Sequence, residues 1–190
     1  MMLDLWRIIA AAWMTVGGVW LVTAFASKSA VKIQSPALRL PQSALMVAGY
    51  YLLFARSAAV GLLALRVVPD SPGSAYVGAV VTLAGLFIAV WARFFLGRNW
   101  SATPTIKKDH ELIRSGPYAF VRHPIYFGLL LAMAGTATFV GELRGLLAVA
   151  LGVIGFKWKS LTEESFMREQ FGTQYDDYRS HVKALVPFIW

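Results

Sequence analysis

The stretch IYFGLLLAMAGTATFVGELRGLLAVALGVIGFKW, residues 125–158, holds two apolar runs, Ile125–Val140 and Gly145–Trp158, broken only by Gly141-Glu142-Leu143-Arg144. Each falls short of the roughly 20 residues that cross a bilayer squarely. The four-residue break is a turn length, so the pair reads as a short helical hairpin whose members are tilted or shielded by neighbours. Three longer apolar runs precede it, Leu5–Phe25, Ala44–Val67 and Ser74–Leu96. The chain is 57% hydrophobic and 15% charged, outside the range of soluble domains. The expected fold is an all-α integral membrane protein of about five transmembrane helices, the last two the short hairpin. Its 190 residues suffice for one domain, three spans over residues 1–96 and the remainder, 97–190, carrying the polar sequence.

Orientation follows from the charges. Thirteen Lys and Arg residues lie after the first, third and fifth runs, against Arg7, Arg66 and Arg144 on the other side. The positive-inside rule then puts the N-terminus outside and the C-terminus in the cytoplasm. Arg7, the run Ile8–Val22 and the small residues at 24–26 imitate a secretory leader, but Asp4 spoils its basic start and Gly17, Gly18 and Trp20 suit a packed helix face, so the segment is read as the first span. The net charge of +8 lacks the aromatic-interleaved basic stripe of a nucleic-acid binder, so the expected surroundings are membrane lipids and no nucleic acid. With no cysteine and three histidines, neither disulfides nor thiolate chemistry are available, and no metal site is expected.

Two cytoplasmic pieces remain for chemistry, Gly97–His123 and Lys159–Trp190. In the second, Phe171, Tyr175, Tyr178 and Val182 recur at helical spacing, which predicts a cytoplasmic C-terminal amphipathic helix that Gly172 can break. In the first, Arg122-His123-Pro124 marks a helix start, because the fixed φ of Pro124 and its missing N–H suit the first helical position. His123 then sits at the cap and Tyr126 returns to the same side, next to a helix N-terminus that attracts a carboxylate or phosphate. Cations and aromatics at a membrane boundary also serve as plain anchors, the role expected for Arg122. Gly116-Pro117-Tyr118 and Gly128 allow close approach of backbone to a ligand. Glu163 and Glu164 follow the last apolar run, with Lys159 one turn before Glu163 on the same helical side. Arg56 and Arg93 stand in or near apolar runs, where charge is costly, and Arg56 is nearer mid-span.

The ordered blocks His110-Glu111-Leu112-Ile113, Gly116-Pro117-Tyr118, Arg122-His123-Pro124-Ile125-Tyr126-Phe127-Gly128, the hairpin, Glu163-Glu164 and Pro187-Phe188-Ile189 resemble the isoprenylcysteine carboxyl methyltransferase family and its phospholipid methyltransferase relatives. The resemblance covers about the C-terminal half. It implies a membrane-embedded methyltransferase using S-adenosylmethionine, the cofactor in a cytoplasmic pocket built from residues 97–190, and a lipophilic or prenylated acceptor entering from the bilayer. By the same resemblance His110, Glu111, Leu112 and Ile113 line the adenosine site. Tyr118, His123, Pro124, Ile125 and Tyr126 hold the cofactor, and Glu163 pairs with its ammonium. Lys159 stands where the family carries an acceptor-binding arginine, and Thr103 where it carries a glutamine; lysine offers a point charge in place of a bidentate grip. Glu163 and Lys159 are thus the implied catalytic pair. A phospholipid amine is the alternative acceptor, and a nicotinamide-dependent sterol-type reductase the alternative class, since it shares an Arg-His-Pro-x-Tyr-x-Gly stretch. Here Ile125 and Leu129 replace that class's usual Asn and Asp.

Overall fold

A computed structural model describes residues 2–25, 30–101, 105–107 and 111–189. Six α-helices follow in order: α1 Met2–Ala24, α2 Pro36–Phe54, α3 Pro72–Leu96, α4 Pro124–Val140, α5 Leu143–Phe171 and α6 Thr173–His181. The helix boundaries obey local chemistry. Pro36, Pro72 and Pro124 occupy first-turn positions where a missing N–H costs nothing. Ser71 and Ser74 exchange a capping box at the head of α3. Gly141, at φ 73°, ends α4 in the left-handed region and turns the chain into α5.

Three helices, α1, α5 and α3 with its continuation to Asn99, are long and apolar enough to cross a membrane, and α4 is apolar but shorter. This is a helical membrane protein. The second run departs from expectation: α2 begins at Pro36 and stops at Phe54, and two 3₁₀ turns, Arg56–Ala58 and Gly61–Ala64, replace the expected helix up to Val67. The cause is Arg144, whose buried guanidinium donates to the carbonyls of Leu52 (2.8 Å) and Ala55 (3.2 Å) and to the Glu142 carboxylate at 2.5 Å. Those carbonyls would otherwise be orphaned at the helix end. Arg56 consequently lies in a turn outside α2. The hairpin is also asymmetric: α5 continues past Trp158 to Phe171, because residues 159–171 are mostly good helix formers despite their polarity.

One expectation of an all-α chain needs correction. Ala30–Ile33 and Thr105–Lys107 pair as a two-stranded antiparallel ribbon, both segments holding the β-branched residues that favour strands. The C-terminal periodicity divides as well. Phe171 ends α5, Gly172 at φ 52° breaks the helix, and α6 buries only Tyr175 and Tyr178.

The core is a seam between α3 and α4. A Cβ on Gly85 would fall 2.4 Å from the Ala132 nitrogen and one on Gly135 2.4 Å from the Thr82 nitrogen, so the two backbones touch. Within this seam Thr82 and Thr136 hydroxyls meet at 3.1 Å, and Trp13 of α1 donates its indole N–H to Thr136 at 3.1 Å. These three polar groups therefore satisfy one another. On the other side, α5 packs on α2, where Gly49 meets the Ala148 carbonyl, and Met133 of α4 fills the space over Gly152.

Candidate functional site

At the cytoplasmic end predicted from the charges, α4 starts on His123, the N-cap, whose backbone (φ −122°, ψ 62°) is not yet helical. The chain on either side is pinned by the C-terminal segment: the N–H groups of Arg122 and His123 donate to the carbonyls of Lys183 (2.8 Å) and Ala184 (3.0 Å). With the cap fixed, Tyr126 one turn on lies parallel to the imidazole, ring centroids 5.3 Å apart at 5°. Its other neighbour is Phe156 of α5, stacked at 4.8 Å. The extension of α5 beyond the apolar run then delivers Lys159, Glu163 and Glu164 to this stack.

The two adjacent carboxylates have different partners. Glu163 accepts the Tyr126 hydroxyl at 2.5 Å and stands 3.5 Å from His123 Nδ1. Glu164, whose side chain is 8% exposed, takes Arg122 through Nη2 (2.7 Å) and Nε (3.1 Å), His123 Nε2 at 3.2 Å and Arg179 Nε at 3.4 Å. Arg122 also donates to the carbonyls of Val182 and Arg179. Of the loop or headgroup anchor expected for it, Arg122 fills the first role: its guanidinium is buried and ties down the segment that follows α6. Burial by itself would depress the His123 pKa, but hydrogen bonds and charge from Glu163 and Glu164 outweigh it and raise the pKa above the ordinary histidine value. A carboxylate faces each ring nitrogen, Glu163 toward Nδ1 and Glu164 toward Nε2, an arrangement that favours the protonated imidazole. The Tyr118 phenol is pushed up by burial and by Glu163 and Tyr178, and stays protonated. It donates to the Ala92 carbonyl at 3.4 Å and its own carbonyl accepts the Tyr178 hydroxyl at 2.6 Å.

A cavity of about 250 Å³ opens between these groups and the bundle. Glu163, Lys159, His123, Tyr126 and Tyr118 supply polar groups to its lining, and Trp20, Leu96, Trp100, Leu129 and Phe156 supply apolar ones. Of the residues singled out in the sequence, Glu111, Leu112, Ile113 and Ile125 also line it. Pro124 is buried behind the wall and serves the helix start. Lys159 Nζ sits 5.4 Å from the centroid of the Tyr126 ring, a cation–π position. His110 and Thr103 fall outside the described residues. Sequence reasoning missed Trp20, which α1 contributes across the whole chain, along with Asn99, Trp100 and Ser101. The resemblance singled out Glu163, but the residues by themselves left Glu164 undistinguished from it. Their spacing is uninformative, because neighbours on a helix differ by 100° and only the packing of α5 says which one turns inward. Arg93, in contrast, is buried at the end of α3, donating to the carbonyls of Thr23 and Gly97 and lying 4.2 Å over Trp100, where it supports one wall.

Known proteins are similar to this chain in sequence and in fold. The model of the family described as phospholipid methyltransferase matches residues 74–174. A probable protein-S-isoprenylcysteine O-methyltransferase from Oryza sativa subsp. indica is 33% identical over 117 residues, 60% of this chain and 61% of that protein. The protein-S-isoprenylcysteine O-methyltransferase of Schizosaccharomyces pombe is 36% identical over 83 residues, 43% of this chain and 35% of that one. Among solved structures, a eukaryotic intramembrane Ras methyltransferase, isoprenylcysteine carboxyl methyltransferase, superposes with a TM-score of 0.52 at 25% identity, covering 84% of this chain and 55% of that chain. The chain thus spans between about a third and about three fifths of the length of these relatives. The matched stretch runs from the head of α3 into α6, which includes the packed seam, the His123 cap and both carboxylates, and on that ground the chain belongs to the phospholipid methyltransferase family.

Proposed function

We propose that the protein is a membrane methyltransferase that uses S-adenosylmethionine and methylates the carboxylate of a lipophilic acceptor, an isoprenylcysteine in the first instance. The observation that carries this reading is Glu163, a carboxylate held by Tyr126 and beside His123, lining a cavity that apolar residues from several helices line as well. Those residues fit the cofactor. Glu163 would take its ammonium, while the His123 imidazolium and the N-terminus of α4 would take its carboxylate. The 111–113 segment and the aromatic residues of the lining would hold its adenosine. When bound, S-adenosylmethionine supplies an electrophilic methyl group on a sulfonium.

The chain's own work is then to orient and to dry the site. Lys159 would hold the acceptor carboxylate, and Trp20, Leu129 and Phe156 would exclude water and accommodate the apolar tail arriving from the bilayer. An ionised carboxylate needs no general base, so alignment accounts for most of the catalysis, on the order of 7–11 kcal/mol of barrier. The charge distribution supports a cytoplasmic site and C-terminus with the N-terminus outside. A second reading, methylation of a phospholipid amine, draws support from the family match and from Glu163 itself, which would accept the proton that an ammonium must lose. The family match and the absence of the reductase class's Asn and Asp set the nicotinamide reading aside.

Titration of the purified protein with S-adenosylmethionine and with NADPH tests the class: binding of the first alone is expected, and binding of neither refutes the proposal. Methyl transfer to N-acetyl-farnesylcysteine against phosphatidylethanolamine then decides between the two acceptors, with the prenylcysteine expected to lead.

A further inference from the structure

A second concavity, of about 530 Å³, lies among Arg122, Lys157, Asp176, Arg179 and Lys183, with Ile189 at its edge. Four cations from the loop before α4, from α5, from α6 and from the C-terminal segment converge there on a single carboxylate, Asp176. That carboxylate is bonded to Arg168 at 3.1 Å, and Arg122 and Arg179 share Glu164, so among the described residues cations outnumber carboxylates around the concavity. We infer that it binds the phosphate of an anionic phospholipid headgroup.

Two observations favour a lipid over a soluble anion or an acidic peptide. Phe188 and Ile189, 82% and 78% exposed, stand beside the cations as an apolar tip, and Phe188 is held there in a left-handed backbone (φ 65°) that a non-glycine residue rarely adopts. Lys157 lies where the apolar run of α5 gives way to its polar extension, the level at which hydrocarbon meets headgroups. Lysine and arginine at that level gain from the phosphates of anionic lipids, while an adjoining apolar tip enters the acyl boundary. The concavity is also mechanically close to the catalytic cavity. Its wall, residues 179–184, is the segment whose carbonyls hold Arg122 and His123, and Arg179 itself reaches Glu164. A headgroup clamped by Arg179 and Lys183 would fix that segment and, through it, the cap of α4.

The test reads lipid retention with no methyl donor present, so it stands apart from the methyltransferase reading. The full chain is placed in nanodiscs of phosphatidylcholine mixed with phosphatidylglycerol, and lipids kept after release are counted by native mass spectrometry. Preferential retention of phosphatidylglycerol is expected, weakening about fivefold for each of Lys157→Gln and Lys183→Gln. Lys157→Arg and Lys183→Arg should keep it, which separates charge from folding. Equal retention of the two lipids, or an undiminished preference in the double glutamine variant, overturns the inference. So does removal of the preference by millimolar inorganic phosphate or by an acidic peptide, either of which would assign the concavity to a soluble ligand.

Discussion

The seam between α3 and α4 and the charged cluster at the head of α4 are built on the same helix by opposite means. In the seam, side chains are nearly absent: Gly78, Gly85, Gly128 and Gly135 let two backbones touch, and affinity comes from contact over a matched shape. In the cluster, Arg122, His123, Tyr126, Glu163, Glu164 and Arg179 are large and polar, and the arrangement is fixed by hydrogen bonds between opposite charges. Hydrocarbon cannot pair a stray charge, so shape does the holding inside the membrane. A site that must recognise an amino acid needs charge, and it can stand only where the protein itself supplies the counter-charges. Each region should then fail in its own way.

The largest effect is expected in the seam. Valine at Gly85 would place atoms within 2.5 Å of the Gly128 carbonyl and the Ala132 nitrogen, both backbone groups that cannot swing aside. Gly85→Val should cost more than about 3 kcal/mol of stability, read by unfolding in detergent, whereas Gly17→Val, with nothing within 4 Å, should stay within about 0.5 kcal/mol. A tolerant Gly85 would mean that shape does not hold the seam.

In the cluster, Glu164 is the residue whose loss most affects folding. Glu164→Ala leaves Arg122 and His123 buried without their carboxylate and should cost roughly 3 kcal/mol. Glu163→Gln is close in shape and keeps a partner for Tyr126, so its stability change should remain under about 1 kcal/mol while S-adenosylmethionine binding weakens about 30-fold. The two adjacent glutamates therefore separate, one serving the scaffold and the other the ligand. Equal effects of both changes on stability and on binding would dissolve that division.

The comparison also explains what could be read without coordinates. The apolar runs and the Arg122-His123-Pro124 helix start were visible because hydrophobic length and proline chemistry are local properties. The end of α2 was not, since it depends on Arg144 arriving from the far side of the hairpin to cap it. Nor was the ribbon of 30–33 with 105–107, a pairing across the two helices α2 and α3. In the site, His123, Tyr126 and Glu163 were legible as residue types in a familiar order, but Trp20 joins the cavity only because α1 packs on α3. Arg122 looked like an anchor for the same reason: an exposed and a buried arginine have the same sequence context until Glu164 is placed.

A smaller effect follows from the charge on His123. Its elevated pKa means that the folded state binds the proton more tightly than the unfolded chain does. Its contribution is fully present below the ordinary histidine value, about 6.5, and is lost as pH climbs through the raised folded value. Glu163 and Glu164 favour this charge, with Arg122, Arg179 and Lys159 the cations nearby. Melting temperature should accordingly fall as pH rises from near neutrality in the wild type and vary less in His123→Gln. An identical pH profile in the two proteins would show that the imidazole is not a cation in the cluster.

The smallest effect is the one that sharpens the function. Lys159 lies on α5 one turn before Glu163, its ammonium over the Tyr126 ring on the cavity wall. If it grips an acceptor carboxylate, Lys159→Arg replaces a point charge with a planar fork that meets both oxygens, and the gain belongs to the ground state and the transition state alike. The KM for N-acetyl-farnesylcysteine should then fall about threefold with kcat nearly unchanged. If the acceptor is an amine, the added guanidinium has no carboxylate to meet and brings a second bulky cation toward a positively charged substrate. In that case Lys159→Arg should raise the KM for phosphatidylethanolamine and leave the prenylcysteine unmethylated, so the direction of one small change in KM assigns the acceptor.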